Sequence, residues 1–381
     1  MHRRPTRSTR LLAPPLQQVD RTRVRWHGRK FAYFAGCDYF RLASHPAVLR
    51  ALREGLEKFG LNVAASRATT GNHRLFALLE QRLAAFFGVE DAVLVSSGYL
   101  SNQAVTQTLA GRFSHALIDE RAHNSLVDAA QFLDCPIYRF KHRDAVDVAR
   151  ILARLGQWAR PILLTDGLFS HDGSVAPLKL YRHTLPTDGW LLVDDAHAAG
   201  ILGRMGRGTA ELEGISRARL IQTVALSKAF GVYGGAVLTT RALAREIRAR
   251  SRLFNGNTPL PLPLAAAALR ALSLVRTDPL IERLARKTAY VKSALRAGGF
   301  PVTDSPAPIV ALAPPTRRDR QRCERRLLHY GVFPSFIRYP GGPAKGYFRF
   351  ALSSEHSRAQ LDALVAALLE SAKDFLTESA G

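Results

Sequence analysis

Cysteine is scarce in this 381-residue sequence, and so are acidic residues, lysine and long apolar runs. The three cysteines, Cys37, Cys135 and Cys323, stand far apart with no C-x-x-C pair. That spacing argues against a disulfide framework or a cysteine zinc site and points to a reducing, cytoplasmic setting. No stretch approaches the roughly 18 uninterrupted apolar residues of a membrane-spanning helix. The most apolar window, residues 259–275, is broken by Arg270 and three prolines. Acidic residues number 31 against 54 basic ones, a formal net charge of +23. If clustered, such a surplus would suit a nucleic-acid backbone. Only nine of the 54 are lysines, however, and the arginines are scattered along the whole chain. Dispersed charge of this kind argues against nucleic acid as a partner.

The remaining composition is ordinary for a globular protein, with 47% hydrophobic and 22% charged residues, which excludes a disordered chain. The opening MHRRPTRSTR is basic and acid-free, and the LLAPPL that follows is too short and proline-broken for a signal-peptide core. The basic start is also transit-peptide-like, but residues 1–45 are expected to form a solvated N-terminal arm. Amphipathic helices are predicted at 46–59 and 75–87. From there short apolar runs (92–97, 161–165, 190–193, 220–226 and 236–239) alternate with helical patterns such as 144–155 and 242–253. This alternation implies βαβ units and a mostly parallel sheet flanked by helices, over residues 46–275. Beyond, 276–381 reads as a smaller α+β domain: a long helix to about 297, short strands, a helix at 317–330, the glycine- and proline-rich 339–346, and a closing helix from 357.

Parallel sheets bind ligands at the carboxyl ends of their strands, so the polar residues placed there are the candidates. The first run ends in Ser97-Gly98-Tyr99 and a helix-like LSNQAVTQTL; the free N–H groups of a helix start cradle phosphate, although strand-glycine-helix turns are common. Later ends give Asp166, then Ser170 in TDGLFSHDGSVAPL, and Asp194 with His197 in VDDAHAAG. A carboxylate at a strand end suits polarising a heterocycle, and equally a turn cap. No cluster with metal-ligand spacing accompanies it, so no metal is expected. The fourth run leads into Ser227 and Lys228, among small residues and glycines. A desolvated lysine favours the neutral amine that Schiff-base chemistry needs, whereas one that reaches solvent would be unremarkable. Cradle, carboxylate and lysine together are the parts a pyridoxal-phosphate (PLP) site requires.

The ordered motifs DYFRLASHP, ASRATTGN, SSGYLSNQAV, DERAHNSLVDA, TDGLFSHDGSVAPL, VDDAHAAGILGRMGRG, ALSKAFGVYGG and FRFALSSEHS resemble the α-oxoamine synthases. These are a branch of the fold-type-I PLP-dependent transferases with class I/II aminotransferase architecture, and the 8-amino-7-oxononanoate synthases of biotin biosynthesis are the most similar in appearance. The resemblance spans residues 34–369 and implies a homodimer with shared active sites that joins an acyl-CoA to an amino acid. Carried over by position, Lys228 would bind the cofactor covalently and Asp194 would pair with the pyridine nitrogen. His197 and Ser170 would contact the ring hydroxyl, and His123 would stack on the ring. Ser97, Gly98 and Tyr99 would hold the phosphate, with Asp166 and Ser227 in the same pocket. Arg349 would grip the substrate carboxylate, a bidentate task, and Arg338 is a second candidate for a carboxylate or CoA contact.

The implied reaction has Lys228, freed by the incoming amino acid, removing its α-proton. The resulting carbanion attacks the thioester, CoA leaves, and loss of CO2 gives an α-amino ketone. Alternatives from the same reading are a synthase using glycine or serine, of the glycine C-acetyltransferase or serine palmitoyltransferase type, and a PLP aminotransferase. Family positions that differ here are Cys37 for asparagine, Arg41 for glycine, Phe76 for histidine, Ala225 for threonine, and Gly256 for a phosphate-binding threonine that Thr258 could replace.

Overall fold

A proline at the first helical position costs nothing, because that N–H has no partner anyway. Pro46 opens α1 (Pro46–Phe59) in this way, with the His45 ring accepting from the Ala47 amide at 3.2 Å. The computed structural model describes residues 15–339 and 341–376, with side chains described as far as residue 373. Residues 1–14, which hold the basic MHRRPTRSTR stretch, lie outside the described residues.

Ahead of α1 run the short strands β1 (Gln17–Gln18), β2 (Arg23–Trp26) and β3 (Arg29–Ala32), which form an antiparallel three-stranded sheet. α2 (Arg74–Phe87) follows. The central unit then alternates through β4 (Asp91–Val95), α3 (Gly98–Thr108), β5 (His115–Asp119), α4 (Asn124–Ala130), β6 (Ile137–Phe140), α5 (Ala145–Leu155), β7 (Pro161–Asp166), α6 (Leu178–Thr184), β8 (Trp190–Asp194), α7 (Thr209–Leu212), β9 (Leu220–Ala225), β10 (Gly235–Thr239) and α8 (Arg241–Arg250). Two long helices, α9 (Leu262–Thr277) and α10 (Leu280–Ala297), lead into β11 (Ile309–Leu312), α11 (Arg317–His329), β12 (Phe336–Ile337), β13 (Tyr347–Ala351) and α12 (Arg358–Leu376).

The central sheet has seven strands in the order β4-β10-β9-β8-β7-β5-β6, and β10 alone runs against the other six. Its middle strands are covered on both faces, so β7 (PILLTD), β9 (LIQTVA) and β10 (GAVLT) are buried at every position. That double burial is why they read as apolar runs rather than alternating ones. The apolar window 259–275 is largely α9, which packs against α1 and α2 in the same buried cluster as β4, β9 and β10. Gly55 lets α1 and α9 meet, since a Cβ there would fall 3.0 Å from Pro263 Cα and from Ala266 Cβ.

The described part of the expected arm is packed, not solvated. Ala32 and Phe34 join the buried cluster built from α10, α11, α12 and the β11-β13-β12 sheet. β3 touches that unit directly, with Ala32 N donating to Gly331 O at 2.8 Å and Phe333 N to Ala32 O at 2.9 Å. Val24, Phe31 and Phe34 are almost wholly buried, and their burial offsets the entropy of ordering the segment.

Candidate active site

Five strand ends of the central sheet carry the predicted residues, and all point to one edge. Ser97 follows β4, His123 follows β5, Asp166 closes β7, Asp194 closes β8 and Lys228 follows β9. They line a single cleft of about 220 Å³ together with Gly98, Tyr99, Ser125, Ala196, His197, Ala225 and Ser227. Lys228 is half-buried and Ser227 exposed, so the lysine faces the cleft rather than the packed core.

The cradle is backbone. Ser97 stands at the N-cap of α3 in extended conformation, and its hydroxyl makes no capping bond. The first amides of the helix are thus left for a ligand, and the helix dipole favours an anion there. The packing beneath excludes any larger residue. A Cβ on Gly98 would fall 2.5 Å from Ala225 Cβ, and one on Gly235 would fall 2.6 Å from the Gly98 amide.

Asp194 is set by partners that sequence reasoning did not assign. Asn102 Nδ2 donates to its Oδ2 at 2.7 Å, Ala196 N donates to Oδ1 at 3.0 Å, and Ser125 Oγ lies 3.3 Å from Oδ2. Asn102 is itself oriented by Thr223 Oγ1, which donates to its Oδ1 at 2.7 Å. These contacts fix the carboxylate in one orientation at the end of β8. Asn102 and Ser125 lie inside the SSGYLSNQAV and DERAHNSLVDA motifs, so the signal was present but carried no role.

Both histidines are neutral, with defined tautomers. Burial first, then the charges of Lys228, Arg349 and His123, hold His197 well below the ordinary imidazole value. Tyr39 lies 2.9 Å from its Nδ1. Burial, then Cys37, pushes the Tyr39 phenol far up, so it donates to Nδ1 and leaves the His197 proton on Nε2. Tyr39 was not singled out from sequence; it sits in the DYFRLASHP motif. His123 is lowered chiefly by burial, with Lys228 adding to the effect and Asp194 opposing it. Its Nδ1 accepts from the Ser125 amide at 3.1 Å, which again places the proton on Nε2. Tyr99 and Tyr339 flank its ring, with centroids 6.1 and 6.0 Å away. Asp166 accepts from the His123 amide at 2.8 Å. Burial, then the neighbouring Asp194 charge, pushes its carboxyl well above the usual range.

Arg349, on β13, reaches the side of this constellation. Its Nη1 donates to Ser170 O at 3.4 Å, and its Nη2 stands 3.9 Å from Cys37 Sγ. Burial works against the charge, but Cys37, Tyr39, Tyr347 and Tyr339 around it outweigh burial and keep the guanidinium charged. Ser170 therefore lies against Arg349 through its carbonyl. Arg338 is placed elsewhere: it is exposed and lines a separate basic cavity with Arg317, Arg320 and Lys345. Of the departing family positions, Cys37 and Ala225 stand at the site. Phe76 is wholly buried under the Arg67 guanidinium, 5.2 Å from its ring, while Gly256 and Thr258 are exposed.

An amine, a well-donated carboxylate, two neutral imidazoles and a side-chain-free helix start in one cleft fit pyridoxal phosphate: each group has the polarity that one part of the cofactor requires. The chain matches the family model for aminotransferase class I and II over residues 37–368 and belongs to that family. It is a PLP-dependent enzyme of the fold-type-I class.

Within it, the chain is 37% identical over 358 residues to the 8-amino-7-oxononanoate synthase of Thioalkalivibrio sulfidiphilus, covering 93% of this chain and 90% of that one. Among solved structures it superposes on the serine palmitoyltransferase of S. paucimobilis with bound PLP and myriocin, at a TM-score of 0.87 and 27% identity, covering 94% of this chain and 91% of that one. It also superposes on the 8-amino-7-oxononanoate synthase of Francisella tularensis, at a TM-score of 0.78 and 25% identity, covering 90% and 98%.

Proposed function

We propose that the protein is an acyl-CoA:amino-acid C-acyltransferase of the 8-amino-7-oxononanoate synthase type, which condenses an amino acid with an acyl-CoA thioester and releases CoA and CO2. The observation that carries this reading is the meeting of Lys228, Asp194 and His123 in one cleft, with Arg349 acting on His197 at its side, in a chain 37% identical to a synthase of that name. Bound PLP supplies an electron sink for the carbanion at the substrate α-carbon. Lys228 holds the cofactor and takes the α-proton. Asp194, fixed by Asn102 and Ser125, pairs with the ring nitrogen. His197 presents Nε2–H toward the ring hydroxyl, and the start of α3 binds the phosphate. Arg349 grips the substrate carboxylate through its planar pair of N–H groups. His123 offers Nε2–H to charge that develops on the thioester oxygen.

In this reading the protein acts as a homodimer with shared sites in the cytoplasm. No described helix is long and apolar enough to cross a membrane. Residues 46–275 serve as the cofactor-binding unit, and residues 276–381 with the N-terminal sheet as the smaller one.

The test is direct. Purified protein is expected to show a visible cofactor band that Lys228→Ala removes, and to release CoA thiol from an acyl-CoA in the presence of alanine, glycine or serine. No thiol release with any of the three, together with amino transfer to a keto acid, would sink the synthase reading in favour of an aminotransferase.

A further inference from the structure

Behind Arg349, the loop that carries Ser170 meets the end of β5 and the segment after β6, and three side chains from two parts of the sequence converge there. His142, His171 and Asp172 each offer one donor atom, and these atoms all lie within 4.8 Å of one another. His171 is buried, and His142 and Asp172 are partly so. We infer that His142, His171 and Asp172 form a divalent transition-metal site, of the class that takes zinc, separate from the PLP cleft.

Two features support this beyond proximity. The first is the orientation of His142. Its Nδ1 lies 3.0 Å from Oδ1 of Asp119, a fully buried carboxylate that also accepts from the Arg121 and Arg143 amides. A carboxylate accepting the Nδ1 proton leaves the Nε2 lone pair free, which is the outer-shell arrangement of zinc-bound imidazoles. Among the described residues the hydrogen-bond partner of Nε2 is Ser174 Oγ, at 3.4 Å. The second is the placement of His171, a buried ring held beside an anchored carboxylate. Asp172 is pinned by the Ser174 amide on Oδ1, and its Oδ2 sits 3.6 Å from His171 Nε2.

Two nitrogens and one carboxylate oxygen suit zinc with one open position for water. Bonds of about 2.0–2.1 Å put tetrahedral ligands roughly 3.4 Å apart, so closure takes side-chain adjustments of about an ångström. Two charges oppose a cation here. One is Arg121, whose Nη1 lies 3.4 Å from His171 Nε2 and which, as an exposed residue, can turn away to solvent. The other is the buried Lys292, which acts on Asp172 from farther off while its ammonium is held by the Thr303 and Ser305 carbonyls. Metal bound here would tie the 167–175 loop to the end of β5. That fixes the Ser170 carbonyl against which Arg349 rests.

The inference stands independently of the acyltransferase reading, and its readout is metal rather than turnover. PLP-loaded, chelator-treated full-length protein is dialysed against Zn2+ and against Co2+. Wild type is expected to retain one tightly held zinc per chain and to show visible Co2+ ligand-field bands that zinc abolishes. His171→Met and Asp172→Asn, judged in preparations that keep the visible cofactor band, are expected to bind at least about 10-fold more weakly. No saturable zinc binding by wild type overturns the site, as does binding that both variants leave unchanged.

Discussion

Protons at single residues decide the chemistry here, and the hydrogen bonds show where they sit. Asn102 is the clearest case, because it gives Asp194 its shortest donor at 2.7 Å and is oriented in turn by Thr223. Hydrogen bonds to charged groups are worth about 1.5–3 kcal/mol, so Asn102→Ala is expected to hold PLP on the order of 10-fold less tightly. Cofactor release into dialysis buffer, followed by the visible band, measures it. An unchanged release rate would mean that Ser125 and the Ala196 amide suffice.

His356, in the FRFALSSEHS motif, gives a pH effect by the same logic. Its Nδ1 accepts from the Ser353 amide at 2.9 Å, Nε2 reaches Tyr33 O at 3.1 Å, and its ring stacks on Phe34. Burial, then Arg41, pushes it down to about 3, whereas the unfolded chain protonates near 6.5. A depressed value means the unfolded state binds the proton first. The stabilisation is therefore complete above about pH 6.5 and is lost as pH falls toward 3, by up to about 1.4 kcal/mol per pH unit. Urea unfolding across that window should show the slope in wild type and a flatter one in His356→Gln.

At the scale of elements, α1 and α9 show what one glycine does. Leucine at position 55 would drive its side chain into Pro263 and Ala266, already 3.0 Å from the place a Cβ would occupy. Gly55→Leu is expected to cost about 1–3 kcal/mol, despite leucine's better helix propensity, and a lower urea midpoint at unchanged slope would register it. The sequence pattern marked this helix and most of the central strands because burial on both faces leaves a plain apolar run. It missed β5 and β6. β5 (HALID) opens and closes on polar residues, and β6 (IYRF) at the sheet edge has two exposed positions, so neither makes a continuous apolar run. The N-terminal strands were missed for a similar reason: RVRW and RKFA hide their apolar residues among arginines. Asp166, Asp194 and Lys228 were legible because they follow apolar strands, whereas His123 and Arg349 came only through the family resemblance. The partners Tyr39, Asn102 and Ser125 were not legible, since their meaning lies in contacts 23–158 residues apart in sequence. His142 and His171 escaped in the same way, being 29 positions apart with no ligand spacing to mark them.

For the whole molecule the surplus of +23 becomes a question about encounter. An acyl-CoA carries several phosphate charges, and a positive field raises its capture rate while leaving the chemical step alone. Local structure gives the field a focus: Arg317, Arg320, Arg338 and Lys345 line one cavity beside the segment whose Tyr339 flanks His123. In that cavity Lys345 donates to Pro315 O, and Arg320 pairs with Glu324 at 3.4 Å. No ion pair is described for Arg317 or Arg338, whose charges stay available. Steering predicts that kcat/KM for an acyl-CoA falls as salt shortens the Debye length from about 30 Å at 0.01 M to about 8 Å at 0.15 M, with kcat unchanged. A thioester of the same acyl group without the nucleotide should show no such fall, and Arg317→Ala with Arg338→Ala should flatten the CoA curve toward it. If both thioesters respond alike to salt, the arginines have no part in capture, and the surplus is unrelated to the reaction.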